Sequence, residues 1–312
     1  MVVSEEMGNA IAGIVSGTVA VMMFNPIDCL RIRWQVCLKE ERAGSNIVGF
    51  ARRIASQEGF VAGLWKPGLF ANGMSIGLCT AVRLVVYGPI RDTILSATGK
   101  DEKDTISMSL AGFAAGATGY LCVTPFFQLK TRLQVDTGLF CENKGVFLTG
   151  SRKGEPRAYS GTIDAISKIV SNEGGVRQLY RGAVPLVFRG SLLSMGHLGG
   201  YDGFKTYALS QNLFENGESP KLHVAASVSA AFFACTLSNP ADVIMTRWAS
   251  APTLGKEYLS ISHMVKSIVR EEGPLVLYRG WTVFFARLAP LLCVMMPLYE
   301  QTRFFLGLGY SS

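Results

Sequence analysis

The chain has 312 residues, is 49% hydrophobic and only 17% charged, carries a net charge of +7 and has a mean hydropathy of +0.28. A soluble protein of this length carries about a quarter charged residues, so the composition argues against two ordinary soluble domains and for a membrane protein. The positive charge then reads as basic loops on one side of a bilayer, and no Lys/Arg run or basic stripe supports a nucleic-acid partner.

The first residues, MVVSEEMGNA, hold two acids and no basic region, and read as neither a secretory signal nor an Arg-rich transit peptide. Six segments are then long and apolar enough to cross about 30 Å of hydrocarbon as tilted helices. They lie near 8–36, 68–95, 106–134, 182–209, 222–248 and 281–306. Isolated polar residues interrupt most of them, which predicts a polar interior. Gly13 and Gly17, and Gly112 and Gly116, stand four apart, a spacing that lets helices approach closely in lipid.

A unit recurs along this series. The first, third and fifth segments end in FNPIDCLRIR (24–33), VTPFFQLKTR (123–132) and SNPADVIMTR (238–247), with Pro26, Pro125 and Pro240 at separations of 99 and 115 residues. A polar stretch follows each, then EGFVAGLWK (58–66), EGGVRQLYR (173–181) or EGPLVLYR (272–279). The predicted unit is therefore helix, proline kink, short surface helix, helix, with divisions at 1–100, 101–215 and 216–312. Proline kinks are tolerated in a membrane when neighbours or cavity water satisfy the freed carbonyls. The longer middle period is absorbed by 136–158, a Gly/Lys/Glu-rich stretch that predicts an extended surface loop.

The seven cysteines (29, 37, 79, 122, 141, 235, 293) form no CxxC and are odd in number, so they suggest neither a disulfide framework nor zinc, and read as small buried hydrophobes. Only three histidines occur (197, 223, 263), and GxxxxGK[ST], HExxH and GxSxG are absent. We therefore expect no enzyme activity, no metal and no cofactor.

These motifs resemble those of the mitochondrial carriers. That family's Pro-x-acid-x-x-base-x-base pattern is complete in Pro26, Asp28, Arg31 and Arg33. Its acid-Gly pattern is present three times. Its aromatic-acid-x-x-base pattern appears as YDGFK (201–205) and YEQTR (299–303), with Gly88 in the acid's place in YGPIR (87–91). The resemblance implies an all-α membrane protein in which six tilted transmembrane helices and three short matrix-side helices form a pseudo-threefold barrel. It also implies the mitochondrial inner membrane, with both termini towards the intermembrane space. Transport would be by alternating access between two ion-pair gates, with membrane lipid, cardiolipin the candidate, as a further partner.

Carried onto this chain, the matrix gate would pair Asp28 with Lys130 and Asp242 with Arg31. Phe127 and Met245, which replace an acid and a base, would then face each other. Stranding one partner of a buried ion pair costs about 3–5 kcal/mol, whereas an apolar exchange of both can be neutral, and a Met–aromatic contact is mildly favourable. Gln35 and Gln134 stand at the family's brace positions, where the third repeat has Ala249. The cytoplasmic-side gate would pair Asp202 with Arg303 and Glu300 with Arg91, leaving Lys205 without its acid. Another reading of all these charges is that they cap helix ends or meet lipid headgroups.

The family's cargo contacts lie mid-way along the even helices. Here those positions offer Ser75, Ile76, Cys79, Thr80 and Arg83, then Arg189 and Gly190, then Arg287. An arginine at mid-membrane is costly and needs a wet cavity or a partner. Two on adjoining helices form a pair of planar forks suited to carboxylates, so a small anion with two carboxylates is the expected cargo. His197 lies about 80° round the helix from Arg189 and reads either as a titrating cavity residue or as a packing residue. The apolar gate pair, with RLAP (287–290), resembles the oxaloacetate branch and its dicarboxylate relatives. In those carriers His-Thr usually follows RLAP, where this chain has Leu291 and Leu292. A single barrel holds a complete pathway, so the carrier reading implies a monomer. The alternative is a carrier-like subunit retained for structure or assembly in a larger inner-membrane complex, which Gly88, Ala249 and Leu291–Leu292 would fit.

Overall fold

The computed structural model describes residues 5–37, 46–98, 105–211 and 220–308. The first span is two helices, α1 (Glu5–Met23) and α2 (Asn25–Val36). Next come α3 (Ile47–Gln57) and α4 (Leu69–Thr98). The second unit has α5 (Thr105–Val135), a small hairpin of β1 (Phe140–Cys141) and β2 (Val146–Phe147), α6 (Thr162–Asn172) and α7 (Ala183–Ser210). The third has α8 (Pro220–Ser250), α9 (Ile261–Glu272) and α10 (Trp281–Phe305). Each long helix packs on the next, and α10 returns to pack on α1, closing the ring.

The six spans and three short helices stand where the sequence places them. Among the described residues, the long segments ending at Thr98, Val135 and Ser250 each have the length and hydropathy to cross a membrane, and α1 with α2 qualifies as one bent span. The remaining two long helices, α7 and α10, run for 28 and 25 residues. Large apolar side chains such as Phe113, Phe188, Phe232 and Leu237 are exposed, as lipid contact requires and water contact disfavours.

The prolines behave differently from one another, contrary to three equal kinks. The chain breaks at Phe24 (φ −90°, ψ 10°) and turns by 59° between α1 and α2. By contrast α5 and α8 run through Pro125 and Pro240. In those two, a hydroxyl just before the proline bonds a carbonyl of the preceding turn: Thr124 to Tyr120 O at 2.8 Å and Ser238 to Ala234 O at 2.6 Å. These bonds are to the carbonyls four residues back, the local back-bonding by which Ser and Thr bend a helix gently. Phe24 offers no such hydroxyl.

Each short helix is tied to the end of its odd helix by one repeated ion pair. Arg33 grips Glu58 with both guanidinium nitrogens (2.6 and 2.8 Å), Arg132 meets Glu173 at 2.5 Å, and Arg247 meets Glu272. These are the last base of each proline motif and the acid of each acid-Gly motif. Loop 136–158 is folded rather than loose. Buried Asp136 accepts from Arg152 and from the backbone N–H groups of Ala158 and Tyr159. Thr149 donates to Glu58 at 2.8 Å, seating the hairpin on the first repeat.

Candidate functional site

The long helices converge at the short-helix end on a buried charged cluster. Asp28 of α2 and Asp242 of α8 are both fully buried. Asp28 accepts from Lys130 of α5, from Arg31 at 2.9 Å and from Arg287 of α10 at 3.0 Å. Asp242 accepts from Arg31 at 2.9 Å, from Arg189 of α7 at 2.6 Å and from the Gln35 amide at 2.8 Å. Thus Asp28 meets Lys130 and Asp242 meets Arg31, and Arg31 bridges the two carboxylates. The cluster as a whole sets four cations against two carboxylates.

Aromatic faces carry part of the excess charge. The Arg31 and Arg189 guanidinium carbons lie 4.7 and 5.6 Å from the Phe284 ring centroid, and the Lys130 ammonium 5.3 Å from that of Phe127. A desolvated cation over a ring gains about 2 kcal/mol. Phe127 belongs to one buried apolar cluster with Met245, Cys79, Val123 and Leu186, against which Ile76 and Tyr120 pack. One third of this closed end is therefore apolar, and the other two thirds are ionic.

Of the brace positions, Gln35 donates its amide to Asp242. Gln134 departs from expectation: among the described residues its amide donates to Asn25 Oδ1 at 3.2 Å. The reason is that Asn25 is a hub. Its own amide donates to Trp65 O (2.5 Å) and Pro67 O (3.1 Å), while Asn72 also donates to its oxygen at 2.8 Å. The sequence reading misses Asn25 and also the three Arg–Glu ties. The signal for the ties was present, since both members recur in every unit.

The five candidates on α4 do not converge on one spot. Ser75 is buried and donates to Asn72 O of its own helix at 2.7 Å. Thr80 turns its methyl towards Gly13 of α1, while Ile76 and Cys79 join the apolar cluster. Arg83 is exposed and lies over Gly119 of α5. Arg189 and Arg287, 6% exposed as a residue and 11% in its side chain respectively, are brought together by the two carboxylates. Gly190 has the Tyr120 ring against it: an added Cβ would stand 2.3 Å from the ring.

At the opposite end Arg91 pairs with Asp92 at 2.9 Å, and Arg303 donates to Asn9 of α1 and lies 5.9 Å from the Tyr299 ring centroid. Lys205 and Glu300 are half-buried. The side chains of His197, Asp202 and Leu292 lie outside the described residues. The six described cysteines are free, and no group of metal-ligating side chains is found among the described residues.

The threefold unit, the six-helix ring and the buried cluster define a membrane carrier. Residues 4–97, 101–212 and 217–309 each match the family described as mitochondrial carrier protein, and the chain belongs to that family. It is similar to mitochondrial uncoupling protein 1 of Arabidopsis thaliana, 30% identical over 291 residues covering 89% of this chain and 86% of that protein. It is similar also to mitochondrial uncoupling protein 3 of Arabidopsis thaliana, 29% identical over 299 residues (94% and 92%), and to UCP3 of Homo sapiens, 31% over 245 residues (78% and 70%). Members of the family are transporters of small metabolites rather than enzymes. Two of these relatives are named as uncoupling proteins and the third as a mitochondrial transporter, and none of the three is named as a dicarboxylate carrier.

Proposed function

We propose that this protein moves a small dicarboxylate, of the size of oxaloacetate, across the mitochondrial inner membrane by alternating access. The observation that carries this reading is the surplus of two positive charges at a buried site, with each carboxylate holding one cavity arginine (Arg189 on Asp242, Arg287 on Asp28). A cargo bearing two carboxylates offers each arginine a replacement partner. Asp28 and Asp242 would then keep only Lys130 and the bridging Arg31. The closed matrix end would loosen when the cargo is in place, which is the differential interaction a population shift requires. One ring contains the pathway, so the working unit is a monomer. The shared surface between the first two repeats, a cavity of about 410 Å³ lined in part by Lys66, Gly68, Arg157 and Thr162, suits an anionic lipid headgroup such as that of cardiolipin.

The test is uptake into liposomes preloaded with C4 and C5 dicarboxylates. Wild-type protein should give saturable uptake, and Arg189→Ala or Arg287→Ala should lower it by at least about thirtyfold, the effect of losing about 2 kcal/mol or more from a buried charged contact. Uptake indifferent to both changes removes these arginines from the pathway. The names of the relatives favour a second reading, dissipation of a proton gradient. Acidification of the same liposomes without any dicarboxylate would select it. The structural-subunit alternative draws no support from the buried cluster, whose ion pairs are costly to keep in a protein that no longer opens.

A further inference from the structure

We infer that Tyr120, a residue of α5, is the specificity-determining wall of the cargo site, an inference that rests on the dicarboxylate reading. The residue after Arg189 is a glycine, and its lack of a side chain has a visible cause. A Cβ at Gly190 would stand 2.3, 2.8 and 2.9 Å from Cε2, Cδ2 and Cζ of Tyr120. Real Cβ atoms do not approach so closely, so the ring occupies the space that a side chain at 190 would fill. An aromatic from the neighbouring helix thus stands in for the missing group beside the guanidinium-bearing residue.

Tyr120 is also placed between the cationic and apolar parts of the site. Its ring stands against Gly190, the residue next to Arg189, and the Arg83 side chain lies over the adjacent Gly119. Its ring centroid is 6.4 Å from that of Phe127, and it packs on the cluster that includes Ile76, Cys79 and Met245. Only half-buried, the side chain has no hydrogen-bonded partner for its hydroxyl among the described residues. The ring fills the space beside Gly190, next in sequence to Arg189, while the Arg189 ion pair is made to Asp242. A rigid ring with two torsions is well suited to limit how long a cargo can be while its carboxylate reaches Arg189.

The experiment is a competition assay in liposomes, with wild-type, Tyr120→Phe, Tyr120→Leu and Tyr120→Ala proteins and dicarboxylates of four to seven carbons. Tyr120→Phe keeps the ring and should keep the wild-type length preference. Tyr120→Leu and Tyr120→Ala should shift the ratio of long to short cargo by at least about tenfold, the scale on which a pocket distinguishes one methylene. The leucine variant retains an apolar contact to the cluster, and so supplies the answer if the alanine variant fails to fold. In parallel, Gly190→Ala should lower the melting temperature of the purified protein, and Tyr120→Ala should relieve that loss. Transport-competent Leu and Ala variants with the wild-type preference would overturn the assignment alone, as would a Phe variant that behaves like alanine. A wild-type protein that takes up no dicarboxylate overturns the transport reading and this assignment with it.

Discussion

Replacing Phe127 by aspartate restores the acid that the other two repeats carry at this position, and the structure makes the restoration harmful. Phe127 is 7% exposed and Met245 is 5% exposed, so the new carboxylate enters an apolar cluster. An unpartnered buried charge costs about 3–5 kcal/mol. The cation within reach is Lys130, which already serves Asp28, so any relief for residue 127 weakens the existing pair. At about 2–4 °C per kcal/mol for a large domain, the melting temperature should fall by about 6–20 °C. Met245→Lys alone strands an ammonium in the same cluster and should cost a similar amount. Together the two new charges can pair, and residues in contact show coupling of about 0.5–3 kcal/mol. Phe127→Asp/Met245→Lys should therefore melt several degrees above the value obtained by adding the two single losses. Melting of the detergent-purified protein followed by tryptophan fluorescence reads all four species. Strict additivity would refute the claim that these side chains are partners across the seam between repeats.

Two further measurements concern residues outside the cargo pathway. Arg33→Ala and Glu58→Ala should each cost about 3–5 kcal/mol by removing one partner of a buried ion pair, and the double variant should be no worse than either, as read by the same melting assay. Because Thr149 donates to Glu58, Glu58→Ala should also hasten proteolytic nicking within 137–158; unchanged digestion would mean the hairpin holds without that seat. Asn25→Ala removes four hydrogen bonds, and Asn239→Ala only the one to Leu277 O. With about 1–3 kcal/mol for each buried group left unsatisfied, Asn25→Ala should be much the more destabilising, and equal melting temperatures would show that the hub adds nothing.

What the sequence made readable was whatever recurs. The prolines and acid-Gly motifs repeat at fixed offsets, so the helices, the short helices and the pairs of Asp28 with Lys130 and Asp242 with Arg31 could all be placed from spacing and resemblance. What breaks the symmetry was hidden. Asn25 reads as an ordinary residue before a proline, yet it takes Gln134 away from the brace role because Trp65, Pro67 and Asn72 converge on it. The attachment of Arg189 and Arg287 to the gate carboxylates depends on how far a long side chain reaches across the ring, which no period encodes. The α4 candidates fall within about 140° of arc but are spread over about 12 Å of the helix axis, so they meet different neighbours at different heights. Spacing alone cannot say which of Ser75, Ile76, Cys79, Thr80 and Arg83 looks inward.

The apolar third of the closed end also bears on the charge arithmetic of transport. Exchanging an acid and a base together for Phe127 and Met245 leaves the net charge of the site unchanged, so the surplus of two positive charges does not come from that exchange. What the exchange alters is the ratio of partners: two carboxylates now face the two cavity arginines, one for one. Arg31 and Lys130 remain to hold the closed state, and Arg31 does so through both carboxylates at once. A cargo with a single carboxylate could release one arginine and would leave the other tied, with Asp28 or Asp242 still anchored across the ring. A dianion can release both. On the dicarboxylate reading proposed above, selectivity for two carboxylates over one would reside in the gate as much as in the contacts to cargo. On that same reading, Arg189→Ala should weaken binding and, because it removes a partner of Asp242, loosen the closed end without cargo.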